Sequence, residues 1–213
     1  MSSSSDTPFS VPQSSICGPV FYTIHASTLG DHIAELDVSL MGYADDHSLY
    51  GSFDPGMSSD DGSTIGKLEP CLVSANDWMN QNRLKMNTSK TEFMIVGHRT
   101  QTDKCYVTSI NVCGDIVTAS STVRYLGVLI DRNLSFEQHI KDKYRIASLN
   151  VYSIRQIRSF ISRDICHQLV HSLVLSHIDY VNALFVGLPG ASTLAPLYRV
   201  QVRADKLVLN RGR

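Results

Sequence analysis

The sequence predicts an α+β fold in which sheet and helix come first and helices alone follow. Three observations predict it. Over residues 11–131, short apolar arms flank clusters of turn residues, the pattern of β-hairpins, around one stretch of helical period. After Ser135, apolar residues recur only at spacings of three and four, the period of helices packed on one face. The charge divides at the same place. Residues 1–131 hold seven Lys and Arg against fifteen Asp and Glu, and residues 132–213 hold twelve against five. The chain therefore reads as a disordered, serine-rich start over 1–10, a mixed segment over 11–131 and a helical segment over 132–213. A basic half beside an acidic one hints at nucleic-acid contact, although solvated helix faces give the same asymmetry.

Taken in order, Ser15 to Leu29 is small and apolar, and Pro19 fits the first turn of a helix. Val38–Tyr43 and Ser48–Phe53 are apolar arms about Asp45-Asp46, a hairpin with acidic residues at its turn. Asp54 to Ser63 has loop composition. Leu68, Leu72, Ala75 and Met79 recur at helical spacing, with an end expected near Asn82. Thr91–Gly97 reads as a strand. Val107–Val112 and Ile116–Thr118 read as a second hairpin around Cys113-Gly114-Asp115. Val123–Ile130 reads as one further strand, closed by Asp131-Arg132-Asn133. In the helical half, Ile140, Tyr144, Ala147, Val151 and Ile154 share a face. Ser162 is placed to cap a helix carrying Ile165, Leu169, Leu173 and His177. A break is expected at Gly187-Leu188-Pro189-Gly190. A last helix over about 193–209 presents Leu197, Val200, Ala204 and Leu207.

Composition sets the surroundings. With 43% apolar and 18% charged residues, the 213-residue chain has the balance of an ordinary globular protein. No run approaches the length of a membrane span, and residues 1–6 lack the basic and apolar regions of a signal peptide. An intracellular location, cytoplasmic or nuclear, is expected, with no membrane partner. Cys17, Cys71, Cys105, Cys113 and Cys166 are scattered and odd in number, which argues for a reducing compartment and against a disulfide framework or a zinc site. Nothing in the sequence indicates an oligomeric state.

The strongest chemical signal is Tyr43-Ala44-Asp45-Asp46. Two-metal phosphoryl transfer needs divalent cations held by carboxylates, and one or two carboxylates plus substrate phosphates suffice for magnesium. Adjacent aspartates on a tight turn supply them. A bare Asp-Asp pair is also a common turn, and on its own the pair leaves both readings open.

Further blocks settle the comparison. Val11–Pro19, VPQSSICGP, resembles the VPQGSVLGP segment (motif B) of LINE-type, non-LTR retrotransposon reverse transcriptases. Tyr43–Asp46 resembles their catalytic YADD (motif C). Trp78–Glu92, WMNQNRLKMNTSKTE, is similar to their motif D, and Arg124–Val128 resembles their YLGV strand (motif E). Leu134–Phe136 with His139-Ile140, Ile178–Tyr180 with Asn182–Leu184, and Gly187–Pro189 resemble their thumb segments. The blocks follow the family's order from about Val11 to the C-terminus.

The resemblance implies a partial polymerase palm over 11–131, an antiparallel sheet with helices built around the YADD hairpin, and an all-helical thumb over 132–213. It implies RNA-directed DNA polymerisation, with an RNA template, a DNA primer, deoxynucleoside triphosphates and Mg2+ or Mn2+. Asp45 and Asp46 would be metal ligands, and Lys90 would donate a proton to the leaving pyrophosphate. Pro12, Gln13, Ser14, Ser15, Tyr43 and Ala44 would line the nucleotide and template pocket. Leu126 and Gly127 would form the primer grip; read without the family, they are a buried strand with a close-packed glycine. Lys141, Arg145, Arg155 and Arg158 would contact nucleic-acid phosphates.

Three departures weigh against activity of this chain alone. The family's motif A aspartate and its fingers would precede Val11, where only ten residues stand. Ser14 replaces a glycine. His47 follows the YADD block, where threonine is usual. A metal site completed only by that missing aspartate, and a hairpin with an unpaired edge, are therefore expected. The alternative reading is a non-catalytic nucleic-acid-binding remnant.

Overall fold

The computed structural model describes residues 17–33, 38–54, 58–186, 188 and 191–210. The pocket residues Pro12, Gln13, Ser14 and Ser15, the start over 1–10 and most of the break at 187–190 lie outside the described residues. The chain divides into two compact units. The first comprises the residues up to Phe93 and Thr100–Ala119, and the second comprises Met94–Arg99 and Ser120–Arg213.

In the first unit, α1 spans Gly18–Ile33, with Pro19 in its first turn as expected. Strands β1 (Ser39–Tyr43) and β2 (Asp46–Tyr50) form the expected hairpin. Helix α2 runs from Ser58 to Gln81. It thus begins inside the stretch expected to be loop; serine and aspartate suit a first helical turn as well as a loop. Leu68, Cys71, Ala75 and Trp78 recur at three and four along α2 and are all buried. Cys71, Ala75 and Trp78 meet Leu29 and Ile33 of α1, with Leu40 and Leu49 of the hairpin packed against them. The indole N–H of Trp78 donates to Thr28 Oγ1 at 3.1 Å, which satisfies the polar atom of the buried ring.

A short helix α3 (Arg99–Thr102) precedes β3 (Ser109–Val112) and β4 (Asp115–Thr118). This second hairpin turns through Cys113 (φ 53°) and Gly114 (φ 103°), two left-handed residues as a type I′ turn requires. Its buried Ile110 and Val112 pack with Leu68. The strand expected over 91–97 does not form a ladder: only Phe93 makes a bridge, parallel to Ala119. Phe93 joins the core as a side chain, but its neighbours gain no continuous strand partner.

The second unit opens with another correction. The strand expected over 123–130 is a hairpin, β5 (Thr122–Tyr125) and β6 (Val128–Asp131), turning at Leu126 and Gly127. Asp131 ends it. Its carboxylate accepts from the N–H groups of Asn133 (3.1 Å), Ser135 (3.0 Å) and Phe136 (2.7 Å), steering the chain into α4 (Glu137–Ile157). Helix α5 (Arg163–Val170) is capped by Ser162, whose hydroxyl accepts from Ile165 N–H. It continues through a π-helical turn, His171–Leu175, into α6 (Ser176–Asp179). The buried face here is Cys166, Val170, Val174 and Ile178. The expected stripe of Ile165 and Leu173 is exposed. Helix α7 (Ala191–Val208) buries Leu197, Val200 and Ala204 against α4, as expected.

The mixture is α+β, but the sheet expected in the first segment is not one sheet. β1–β2, β3–β4 and β5–β6 are three separate two-stranded sheets. Among the described residues, no helix is long and apolar enough to cross a membrane.

Candidate active site and nucleic-acid interface

The first unit holds the acidic turn. Tyr43 pairs with Asp46, leaving Ala44 and Asp45 as a two-residue connection. Such tight connections match the right-handed twist of the strands when their first residue is left-handed. Ala44 adopts that conformation, with φ 53°. An L-residue there costs about 1–2 kcal/mol, and such strain collects at functional sites. Because side chains alternate across a strand, the hairpin has two faces. Leu40 and Leu49 face the core. Met41, Tyr43, Asp46 and Tyr50 share the opposite face, and all four are exposed. Asp45, at the tip, is exposed too. The hairpin thus anchors one face in the core, with Asp46 exposed on the other face and Asp45 exposed at the tip.

Two contacts of the turn were not legible in the sequence. His47 sits opposite Gly42, with its Nδ1 3.2 Å from the Asp45 carbonyl oxygen. A Cβ on Gly42 would lie 3.4 Å from the His47 ring, so the imidazole lies across the glycine. Tyr22 of α1 has its phenol pushed above the ordinary range, first by burial and then by the Asp45 charge, which places it within electrostatic reach of the turn. No spacing in the sequence links residues 22 and 45.

Lys90 stands elsewhere in this unit. It ends a 3-10 turn, Thr88–Lys90, with its N–H donating to the Asn87 carbonyl at 3.1 Å. Among the described residues, no hydrogen bond or ion pair joins it to Asp45 or Asp46. Nor, among the described residues, do three His, Cys, Asp or Glu side chains converge to hold a metal ion. Asp45 and Asp46 fit the part of a magnesium site that one or two carboxylates provide, with phosphate oxygens supplying the rest.

The second unit holds the basic helices and the turn at Leu126 (φ 45°) and Gly127 (φ 79°). The Tyr180 hydroxyl donates to the Leu126 carbonyl at 2.5 Å, and the Lys143 ammonium lies 5.5 Å from the centre of the Tyr180 ring. The four basic residues singled out from the sequence divide by role. Lys141 pairs with Glu137 at 3.3 Å and Arg145 with Asp142 at 3.2 Å, both largely exposed and cheaply released. Arg155 is exposed. Arg158 differs: its guanidinium donates to the carbonyls of Leu207 (2.9 Å), Ile161 (3.0 Å) and Val208 (3.4 Å). It closes the C-terminal end of α7 and is not displayed for phosphate. Lys143 was missed although it stands between Lys141 and Arg145. Arg203 was missed as well; its guanidinium acts on the Tyr144 phenol and lowers its pKa.

Comparison with known proteins returns relatives of one kind. The chain is 28% identical over 135 residues to the RNA-directed DNA polymerase from mobile element jockey of Drosophila melanogaster, a match covering 61% of this chain and 14% of the relative. It is 26% identical over 135 residues to the jockey polymerase of Drosophila funebris. It is 29% identical over 136 residues to a probable RNA-directed DNA polymerase from transposon BS of Drosophila melanogaster. The chain spans about one seventh of the length of these relatives. No family model matches the chain, and no solved structure does.

Proposed function

Since this chain is related to the RNA-directed DNA polymerases of non-LTR mobile elements, we propose that it is part of a reverse transcriptase, contributing palm residues over 11–131 and a thumb over 132–213. The observation that carries the reading is the Tyr43–Asp46 turn, a strained hairpin tip that holds two exposed carboxylates clear of the core. Bound there, Mg2+ or Mn2+ would lower the pKa of the primer 3′ hydroxyl and offset charge on the triphosphate.

The residues act around that chemistry. Asp45 and Asp46 hold the cation. Tyr43 and Ala44, with Pro12, Gln13, Ser14 and Ser15, border the nucleotide and the template. Lys90 protonates the departing pyrophosphate once the motif D segment is brought to it. Leu126 and Gly127 contact the DNA primer, and Lys141, Arg145 and Arg155 contact phosphates of the RNA–DNA duplex. Unaided, the 213 residues would bind duplex without extending a primer, because a further carboxylate is needed beside Asp45 and Asp46. The absence of a third donor among the described residues also favours the second reading, a nucleic-acid-binding remnant without catalysis.

A chimaera separates the two. The stretch of a jockey polymerase that matches this chain is replaced by the chain's own residues, and Mg2+-dependent primer extension is measured. The proposal expects extension, lowered roughly 100-fold or more by Asp45→Asn. A chimaera that binds primer–template but never extends it supports the remnant reading.

A further inference from the structure

Leucine rarely adopts the left-handed conformation of Leu126, so its turn persists only where neighbours hold it. The neighbour that does so is 54 residues away. Past α6, the chain reverses through Tyr180 (ψ 117°) and the left-handed Val181 (φ 56°). This delivers the Tyr180 hydroxyl to the Leu126 carbonyl at 2.5 Å. The same ring covers Gly127, where an added Cβ would lie 3.5 Å from it. Lys143, one α4 turn past the buried His139 and Ile140, extends over the ring at 5.5 Å. An ammonium held on an aromatic face keeps its donors and gives up rotamer freedom in advance, so a phosphate contact costs it less ordering.

We propose that Tyr180 is the positioning residue of the Leu126–Gly127 turn, and that Lys143, seated over its ring, makes the nucleic-acid phosphate contact beside that turn. The inference rests on the reading in which the turn touches the primer. The phenol fixes where the turn's backbone stands, and the cation supplies the attraction. All three groups belong to the second unit and the Asp45 turn belongs to the first, so their substitution tests duplex contact and leaves the metal ligands unchanged.

The test uses the 213-residue chain with a fluorescein-labelled RNA–DNA primer–template duplex, by anisotropy across a salt series, alongside amide exchange over residues 122–131. Tyr180→Phe keeps the ring and the seated cation but loses the tether. It should speed exchange in the turn, lower the melting temperature by a few degrees and weaken duplex binding about fivefold, the effect of one hydrogen bond. Lys143→Gln should weaken binding and reduce the salt slope by about one, and Lys143→Arg should restore it. If the unsubstituted chain binds the duplex but Tyr180→Phe and Lys143→Gln bind it equally well with the same slope, the inference is overturned and the proposed function stands. If the unsubstituted chain does not bind at all, the proposed function falls and this phosphate contact falls with it. Unchanged exchange in Tyr180→Phe overturns the tether independently of any ligand.

Discussion

At the scale of single residues, the acidic turn and the Leu126–Gly127 turn each rest on a residue in an uncomfortable conformation. The acidic pair at 45 and 46 was plain in the sequence, since carboxylates between apolar arms mark a hairpin tip. The backbone cost at Ala44 was not. Turn type is announced by glycine or asparagine, and alanine announces nothing. Leu126 misled for the same reason: an apolar run with one glycine reads as a strand, and only the register of Tyr125 with Val128 reveals the turn. The strain at Ala44 is testable. Relief of about 1–2 kcal/mol at a left-handed site, set against the added unfolded-state freedom of glycine, leaves a net gain of up to about 1 kcal/mol for Ala44→Gly. Its melting temperature should rise by a few degrees. A fall would mean that the methyl group makes contacts that outweigh its strain. The same variant, carried into the primer-extension chimaera, shows whether the strain also serves the proposed chemistry.

At the scale of elements, helical period located α2, α4 and α7 and the faces that α4 and α7 bury, because apolar spacings of three and four leave little freedom, while on α2 the deepest positions are Cys71 and Trp78 beside the expected Leu72 and Met79. It misassigned the face of α5, because the expected stripe from Ile165 to His177 and the buried one from Cys166 to Ile178 both run at spacings of four and period alone does not choose between them. There the chain widens into the π-helical turn at His171–Leu175. Bonds to the fifth residue offset the drift of an α-helix, so residues spaced by four, from Cys166 to Ile178, stay in line. No residue type signals that widening. Charge was also legible only as charge. Arg155 and Arg158 look alike in sequence, yet one is exposed and the other gathers the Leu207 and Val208 carbonyls at the end of α7 together with that of Ile161. Removing a half-buried guanidinium with three bonds strands carbonyls that have few other donors. Arg158→Met should therefore destabilise the second unit by roughly 1–3 kcal/mol, whereas Arg155→Met should stay within about 0.5 kcal/mol. Urea denaturation of the two variants checks this, and equal costs would contradict the assigned division of roles.

At the scale of the whole molecule, each unit closes its own core, and two groups whose titration the fold displaces, His139 and Asp131, sit in the second. His139 is 1% exposed, and its Nδ1 accepts the Leu129 N–H at 3.1 Å, a bond that only the neutral ring can accept. Burial pulls its pKa below the usual 6.5, Lys143 and Arg124 add to the pull, and Asp142 opposes it. The unfolded chain therefore takes up a proton near pH 6.5 that the folded unit refuses. Stability is complete above that pH and declines as pH falls through it, levelling once the folded ring itself is protonated. Asp131 acts in a lower window. Burial pushes its carboxyl up, but the N–H groups of Ser135, Phe136 and Asn133 with the Ser135 hydroxyl outweigh burial and hold it below 3.8. Its contribution is present above 3.8 and is lost as pH falls through the lower folded value. Trp78, the single tryptophan, lies in the core of the first unit and reports on that unit. Lowering the pH from 7.5 to 5.5 should thus reduce the urea midpoint followed by far-ultraviolet circular dichroism, which is weighted toward the helices of the second unit. The midpoint followed by Trp78 fluorescence should fall less. Equal falls by both probes would mean that the molecule unfolds as one body, and that the proton taken up at His139 is felt as far as Trp78.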